Sequence, residues 1–249
     1  MKKISFLLST IILILGCSKN DVSTNPANPD AFNNRAVGAS ANELLSSITY
    51  KSLKVEVQYM TGFEPDAQAI IHLQNFLAAY VNKPNGVTVL TKAIPANANT
   101  TLSVDDVIKI EKENRSAFST ANEIAIYILY TNGVYNENNV LGIAYRNTSA
   151  TLFGKKIRDN SGGIGQTSRT KLEATVLEHE VSHLLGLVDV GTAMQNPHKD
   201  AAHGSHCNNQ ECLMYYTSET TDVLGFLLTG NIPALDANCM ADLRGNGGK

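Results

Sequence analysis

The sequence predicts one α/β (α+β) domain over residues 49–249, built on a mixed twisted sheet with one long helix against it and further helices at the C-terminal end. Three observations carry this. Strand and helix periodicities follow one another in the order β-α-β-α-β-β-α. One strand is apolar almost throughout, as a central strand buried on both faces is. The last helix of the series is long, capped and closed by a glycine, and two more helical stretches follow it.

Each element has a local reason. In "LKVEVQYM", Leu53, Val55, Val57 and Tyr59 alternate with other residues, the pattern of a half-buried strand. "TGFEPD" reads as a turn. Ile70, Leu73, Leu77, Tyr80 and Val81 then recur at helical spacing. "VNKPNG" ends that helix, and "VTVLTKAI" is a second strand. Ser103 and Asp106 form a capping box for a short helix through Ile110. "EIAIYILYTNG" is the apolar strand, with Ile124, Ile126 and Ile128 on one face. "VLGIAYRNTSATLF" is a strand region of mixed polarity that suits a sheet edge. Thr170 and Glu173 fit a capping box opening the long helix, which runs to Gly186. Residues 187–211 read as a polar loop. "ETTDVLGFLL" and "IPALDANCMADLR" read as terminal helices, with Pro233 early in the second.

The chain has 249 residues, 43% of them hydrophobic, which suffices for a core. Its net charge of −3 leaves no basic surplus for nucleic acid. At the N-terminus, Lys2 and Lys3 precede an apolar run, Ile4 to Leu15, too short to span a bilayer. "ILGC" ending at Cys17 resembles the lipobox of bacterial lipoproteins. That resemblance implies a signal peptide over 1–16, lipid on Cys17 and a membrane partner. The implied location is the bacterial envelope, anchored to the outer membrane and facing periplasm or surface. Lys19 and Asp21 weakly resemble surface-export tags. Residues 17–48, rich in Asn, Ser, Pro and Ala, read as a flexible tether.

The chemistry concentrates in "LEHEVSHLLGLVDVG", residues 177–191. Positions four apart share a helix face, so His179 and His183 aim at one point, with Glu180 beside it. Two imidazoles and a carboxylate so arranged suit a zinc ion and a general base. Gly186 can take positive φ and end the helix in a sharp turn that returns the following residues toward the metal. Downstream lies "CLMYY", residues 212–216.

Together these resemble the metzincin clan of zinc endopeptidases. His179, Glu180, His183 and Gly186 match its long zinc motif. Asp189 stands where the third ligand is usually histidine, and the snapalysin family is similar in having aspartate there. Met214 matches the Met-turn methionine. Tyr216, two residues later, matches a tyrosine that in astacin-like and serralysin-like members helps stabilise the transition state. The resemblance implies one catalytic zinc, a peptide or protein substrate lying along the edge strand near "LGIAY", and a monomeric zinc-dependent endopeptidase with Glu180 as base. The alternative is a surface binding or adhesion lipoprotein that keeps zinc without turnover.

Asp189 holds the register set by Gly186, but His198, His203 and His206 in the polar loop are rival third ligands. The cysteines of the body, Cys207, Cys212 and Cys239, admit one disulfide and a free thiol, with Cys207–Cys212 as one pairing. "CNNQECLM" also resembles the archaemetzincins, although their further CxxC is absent here. A structural metal on His203, His206, Cys207 and Cys212 is a further reading.

Overall fold

The computed structural model describes residues 29–249. The expected signal peptide and Cys17 lie outside that range. Two short helices come first, α1 (Pro29–Asn33) and α2 (Ala41–Leu45), within the stretch expected to be a tether. Phe32, Leu44 and Leu45 are buried in the main core, so the described part of this stretch packs as part of the domain. The Lys83 ammonium ties it down by donating to the carbonyls of Glu43, Ser46 and Tyr50.

A five-stranded sheet follows. Its strands are β1 (Ser52–Met60), β2 (Val87–Ile94), β4 (Glu123–Tyr130), β6 (Gly142–Arg146) and β7 (Ser149–Leu152), in the order β2-β1-β4-β7-β6. All neighbours are parallel except β6, which is antiparallel to β7 and forms an edge. The mixed-polarity segment expected at the edge is thus a hairpin, with β6 outermost. A two-stranded ribbon pairs β3 (Thr101–Leu102) with β5 (Val134–Tyr135).

The apolar strand β4 sits centrally and serves both faces. Ile124, Ile126 and Ile128 join the main core with Leu73 and Leu77 of α3 (Ala67–Tyr80) and Val176 and Leu177 of α6 (Arg169–Leu184). Tyr127 and Leu129 point the other way, into a second cluster with Val107 and Ile110 of α4 (Val104–Asn114). This period-2 division is what a doubly covered strand requires. The capping box of Ser103 and Asp106 forms as expected.

The start of α6 differs from expectation. Ser168 is its N-cap, accepting from the amide of Lys171. Glu173 instead accepts from the Asp66 amide at 2.6 Å, and Thr170 donates to the Asp66 carboxylate at 3.0 Å. Asp66 also caps α3 through the amides of Gln68 and Ala69. The polar residues at the start of α6 therefore fasten two helices together rather than closing their own first turn. The short helices α5 (Gly154–Asp159), α7 (Leu224–Thr229) and α8 (Ala237–Gly245) complete the domain. Asp236, not the region of Pro233, starts α8, because its carboxylate accepts from the Cys239 amide. Among the described residues no helix is long and apolar enough to cross a membrane.

Candidate metal centre

Helix α6 is buried on all sides from Leu172 to Leu184, between the sheet, α3 and the loops that follow it. His179 and His183 share a face, as their spacing demands. Their Nε2 atoms stand 3.2 Å apart. The opposite nitrogens are engaged: His179 Nδ1 meets the Leu213 carbonyl at 2.8 Å, and His183 Nδ1 meets the Leu187 carbonyl at 2.9 Å. Each Nδ1–H donates to its carbonyl, leaving an Nε2 lone pair directed inward, the tautomer that metal-ligating histidines adopt. Burial first, then His179 and His206, push the His183 imidazolium down to about 3, so this ring is neutral at ordinary pH.

The third imidazole is that of His206. Its Nδ1 meets the His203 carbonyl at 2.6 Å, and its ring stacks on His179 with centroids 5.3 Å apart. Its Nε2 is buried and has no hydrogen-bond partner. Glu219 completes the group, with its carboxylate oxygens 3.4 Å from His206 Nε2 and 3.6 Å from His179 Nε2. The donor atoms of His179, His183, His206 and Glu219 all lie within 4.8 Å of one another. Burial raises the Glu219 carboxyl, but the two imidazoles beside it outweigh that and hold it well below the usual carboxylate range. For His206 burial depresses the imidazolium, and Glu219 more than offsets it, so the net shift is upward. An orphaned Nε2 and two inward lone pairs fit a divalent cation with nitrogen ligands.

The structure does not bring Asp189 to this group. Gly186 does end the helix turn with φ of +86°, as the sequence suggests. The chain then closes on itself: the amides of Val190 and Thr192 both bond the Gly186 carbonyl at 3.1 Å. A side chain at Gly186 would lie 2.5 Å from the Thr192 nitrogen, so the turn is too tight for any other residue. That closure faces Asp189 outward, with φ of +64° and a side chain 48% exposed, 3.5 Å from Lys199. The loop continues and returns where the Val188 amide meets the Ser205 carbonyl, which delivers the next residue, His206, to the histidines.

The structure also places Tyr216 and Met214. Tyr216 stacks flat on the exposed ring of His203, centroids 3.7 Å apart, and does not line the cleft. Met214 is fully buried in the main core. Its segment is structural support: Leu213 offers His179 its carbonyl, and the Met214 carbonyl accepts from Cys207.

Glu180 lies 1% exposed between α6 and the edge strand, with both carboxylate oxygens lacking a hydrogen-bond partner. Burial, then the nearby Glu219 charge, raise its pKa well above the carboxylate range. Gly142 of β6 makes room for it, since a Cβ there would sit 3.0 Å from the Glu180 carboxylate. The cleft in front of these groups has a volume of about 300 Å³ and is lined by Ile143, Ala144, Glu180, His183, His206 and Glu219. Val37, from the N-terminal stretch, forms part of its wall. That stretch also pairs beyond β6, where the Asn147 amide donates to the Arg35 carbonyl.

A second cluster lies behind the first. Cys207, Cys212 and Cys239 are buried and unbonded. Cys212 and Cys239 Sγ are 3.6 Å apart, and His198 Nδ1 is 3.3 Å from Cys207 Sγ. His198, Cys207, Asp236 and Cys239 have donor atoms close enough for one ion. His198 Nε2 meets the buried Asp242 carboxylate at 2.7 Å, which orients Nδ1 toward the sulfurs. The loop metal set expected from sequence is therefore divided: His206 faces the other histidines, and His203 lies outside both groups. Nothing in the linear spacing marks His198, Asp236 or Glu219 as partners of these residues.

No protein-family model matches the sequence, and no curated protein matches it. Among solved structures, the fold is similar to that of an archaemetzincin from Methanopyrus kandleri. The TM-score is 0.54 and the identity 15%, with 79% of this chain and 96% of that chain covered. Metalloproteinase-II from Bacteroides fragilis aligns at a TM-score of 0.44 and 12% identity, over 82% of this chain and 59% of that one. The mixed sheet and its helices are thus an archaemetzincin-like fold.

Proposed function

We propose that this chain is a zinc-dependent peptidase whose catalytic ion is held by His179, His183 and His206. The single observation that carries this is the set of three buried imidazoles, each with Nδ1 on a backbone carbonyl and Nε2 turned to a common point, beside the unpartnered carboxylate of Glu180. A zinc ion there supplies a Lewis acid for water and for the scissile carbonyl near neutral pH. Glu180 takes the proton from the attacking water and passes it to the departing amine. Burial, then the Glu219 charge, raise the Glu180 pKa, which makes it a stronger base than a free carboxylate.

An extended peptide has an obvious seat. β6 is an antiparallel edge beside Glu180, and a peptide can add to it as a further strand. A peptide or protein is therefore the proposed substrate, and endopeptidase action the proposed mode. The thiol cluster is read as a second, structural site, because three buried thiols and an oriented imidazole suit zinc better than a disulfide with one thiol left over. We further propose, on the N-terminal sequence alone, that Cys17 is lipidated and anchors a monomeric enzyme to the outer membrane of a bacterial envelope.

The test is hydrolysis of casein with and without a chelator, by wild type and by Glu180→Gln, with zinc content measured on the same samples. Expected are chelator-sensitive cleavage, a loss of about 10²–10⁴-fold in the variant, and unchanged zinc. Zinc binding without cleavage by wild type would instead identify a silent binding protein.

A further inference from the structure

We propose that Glu219 is a fourth protein ligand of the three-histidine site and holds it closed, so that catalysis requires its carboxylate to leave. This rests on the three-histidine reading and adds to it a regulating residue.

The distances carry the inference. Ligand atoms about 2.0–2.2 Å from a tetrahedral zinc ion are roughly 3.3–3.6 Å from one another. The structure has His179 Nε2 and His183 Nε2 at 3.2 Å, Glu219 Oε1 and His206 Nε2 at 3.4 Å, and Glu219 Oε2 and His179 Nε2 at 3.6 Å. The carboxylate contacts are long for charge-assisted hydrogen bonds to the imidazoles. The carboxylate places one oxygen toward His206 and the other toward His179, and one donor atom from each of the four residues lies within 4.8 Å of the rest, close enough for one ion. A catalytic zinc keeps one position open, whereas four protein ligands make a closed site.

Glu219 shares the cleft with the candidate base Glu180. The backbone aims Glu219 as well. Its carbonyl accepts from the Leu141 amide at 2.8 Å, and the Thr221 amide donates to the Asn139 carbonyl at 2.9 Å. Residues 139–141 lead directly into β6, so the capping segment is fastened to the end of the edge that a peptide would join. A peptide docking there arrives next to the cap, and its carbonyl can exchange for the carboxylate on the metal. The exchange is a ligand substitution with no net proton change.

The test uses cobalt(II) in place of zinc in the full-length protein, titrated with azide and, as a neutral probe, imidazole, while the visible spectrum is followed. Glu219→Gln and Glu219→Asp are compared with wild type. The aspartate keeps the charge but shortens the reach. Both variants are expected to bind both probes at least about tenfold more tightly than wild type, because the coordination position is open. Cobalt bound equally with probe midpoints within twofold in all three proteins would overturn the cap and leave the three-histidine site standing. Tightening of azide alone, and only in Glu219→Gln, would show charge repulsion and also overturn it. A wild type that binds no cobalt at the histidines would remove both readings.

Discussion

His179 and His183 face each other through Nε2 at 3.2 Å while both Nδ1 atoms are tied to backbone carbonyls. Two lone pairs held this close repel unless a cation lies between them. His206 brings a third such nitrogen, and Asp189 turns away. Metal content and chelator competition should therefore divide the candidate ligands. His206→Ala is expected to weaken zinc binding by at least about a hundredfold, beyond what loss of an outer-shell partner costs. Asp189→Ala is expected to change it less than about threefold. The reverse order would restore Asp189 as the third ligand.

Gly142 provides a probe of Glu180 that leaves the glutamate in place. A Cβ at 142 would stand 2.6 Å from the Val176 side chain and 3.0 Å from the Glu180 carboxylate. Gly142→Ala should displace the base, lower kcat by about tenfold or more, and cost about 1–3 kcal/mol of stability. Zinc should remain bound. Wild-type kcat in this variant would mean that Glu180 is not held against β6 during turnover.

Tyr216 stacks on His203 outside the cleft. Tyr216→Phe keeps the stacking surface and removes only the hydroxyl. The expected change in kcat/KM is less than about threefold, far below the roughly hundredfold cost of losing an oxyanion donor. A hundredfold loss would show that the 216–219 segment rearranges to bring the hydroxyl to the substrate.

Glu173 gives a pH dependence away from the site. Burial, only partly offset by the Asp66 amide and Arg169, pushes its carboxyl up to about 7. Its unfolded value is near 4.3, so between these two pH values the folded state binds more protons. The group's contribution is full below the unfolded pKa and is lost as pH rises through about 7. Glu173→Gln should therefore flatten the fall in stability between pH 4.5 and 8 by on the order of 2 kcal/mol, read from denaturant midpoints. A slope identical to wild type would place the Glu173 pKa near its ordinary value.

The strands, the main helices and the pair His179–His183 with Glu180 follow from the sequence, because period-2 and period-3.6 patterns act over a few residues. β4 shows this best: its isoleucines face one core and Tyr127 and Leu129 the other. Gly186 as a helix-ending turn was legible for the same reason. Where the turn sends its neighbours was not. Asp189 keeps the sequence register of a ligand, but the bonds from Val190 and Thr192 to the Gly186 carbonyl rotate it to solvent. His206 reaches the metal centre only because Val188 and Ser205 meet across the base of the intervening loop. Glu219 depends on pairing with residues 139–141, and His198 on Asp242, 44 positions away. Local periodicity could thus place the two helical histidines and the base. The third imidazole, the second carboxylate and the thiol cluster were decided by closure of loops, whose partners are chosen by tertiary hydrogen bonds and carry no periodic signal in the chain.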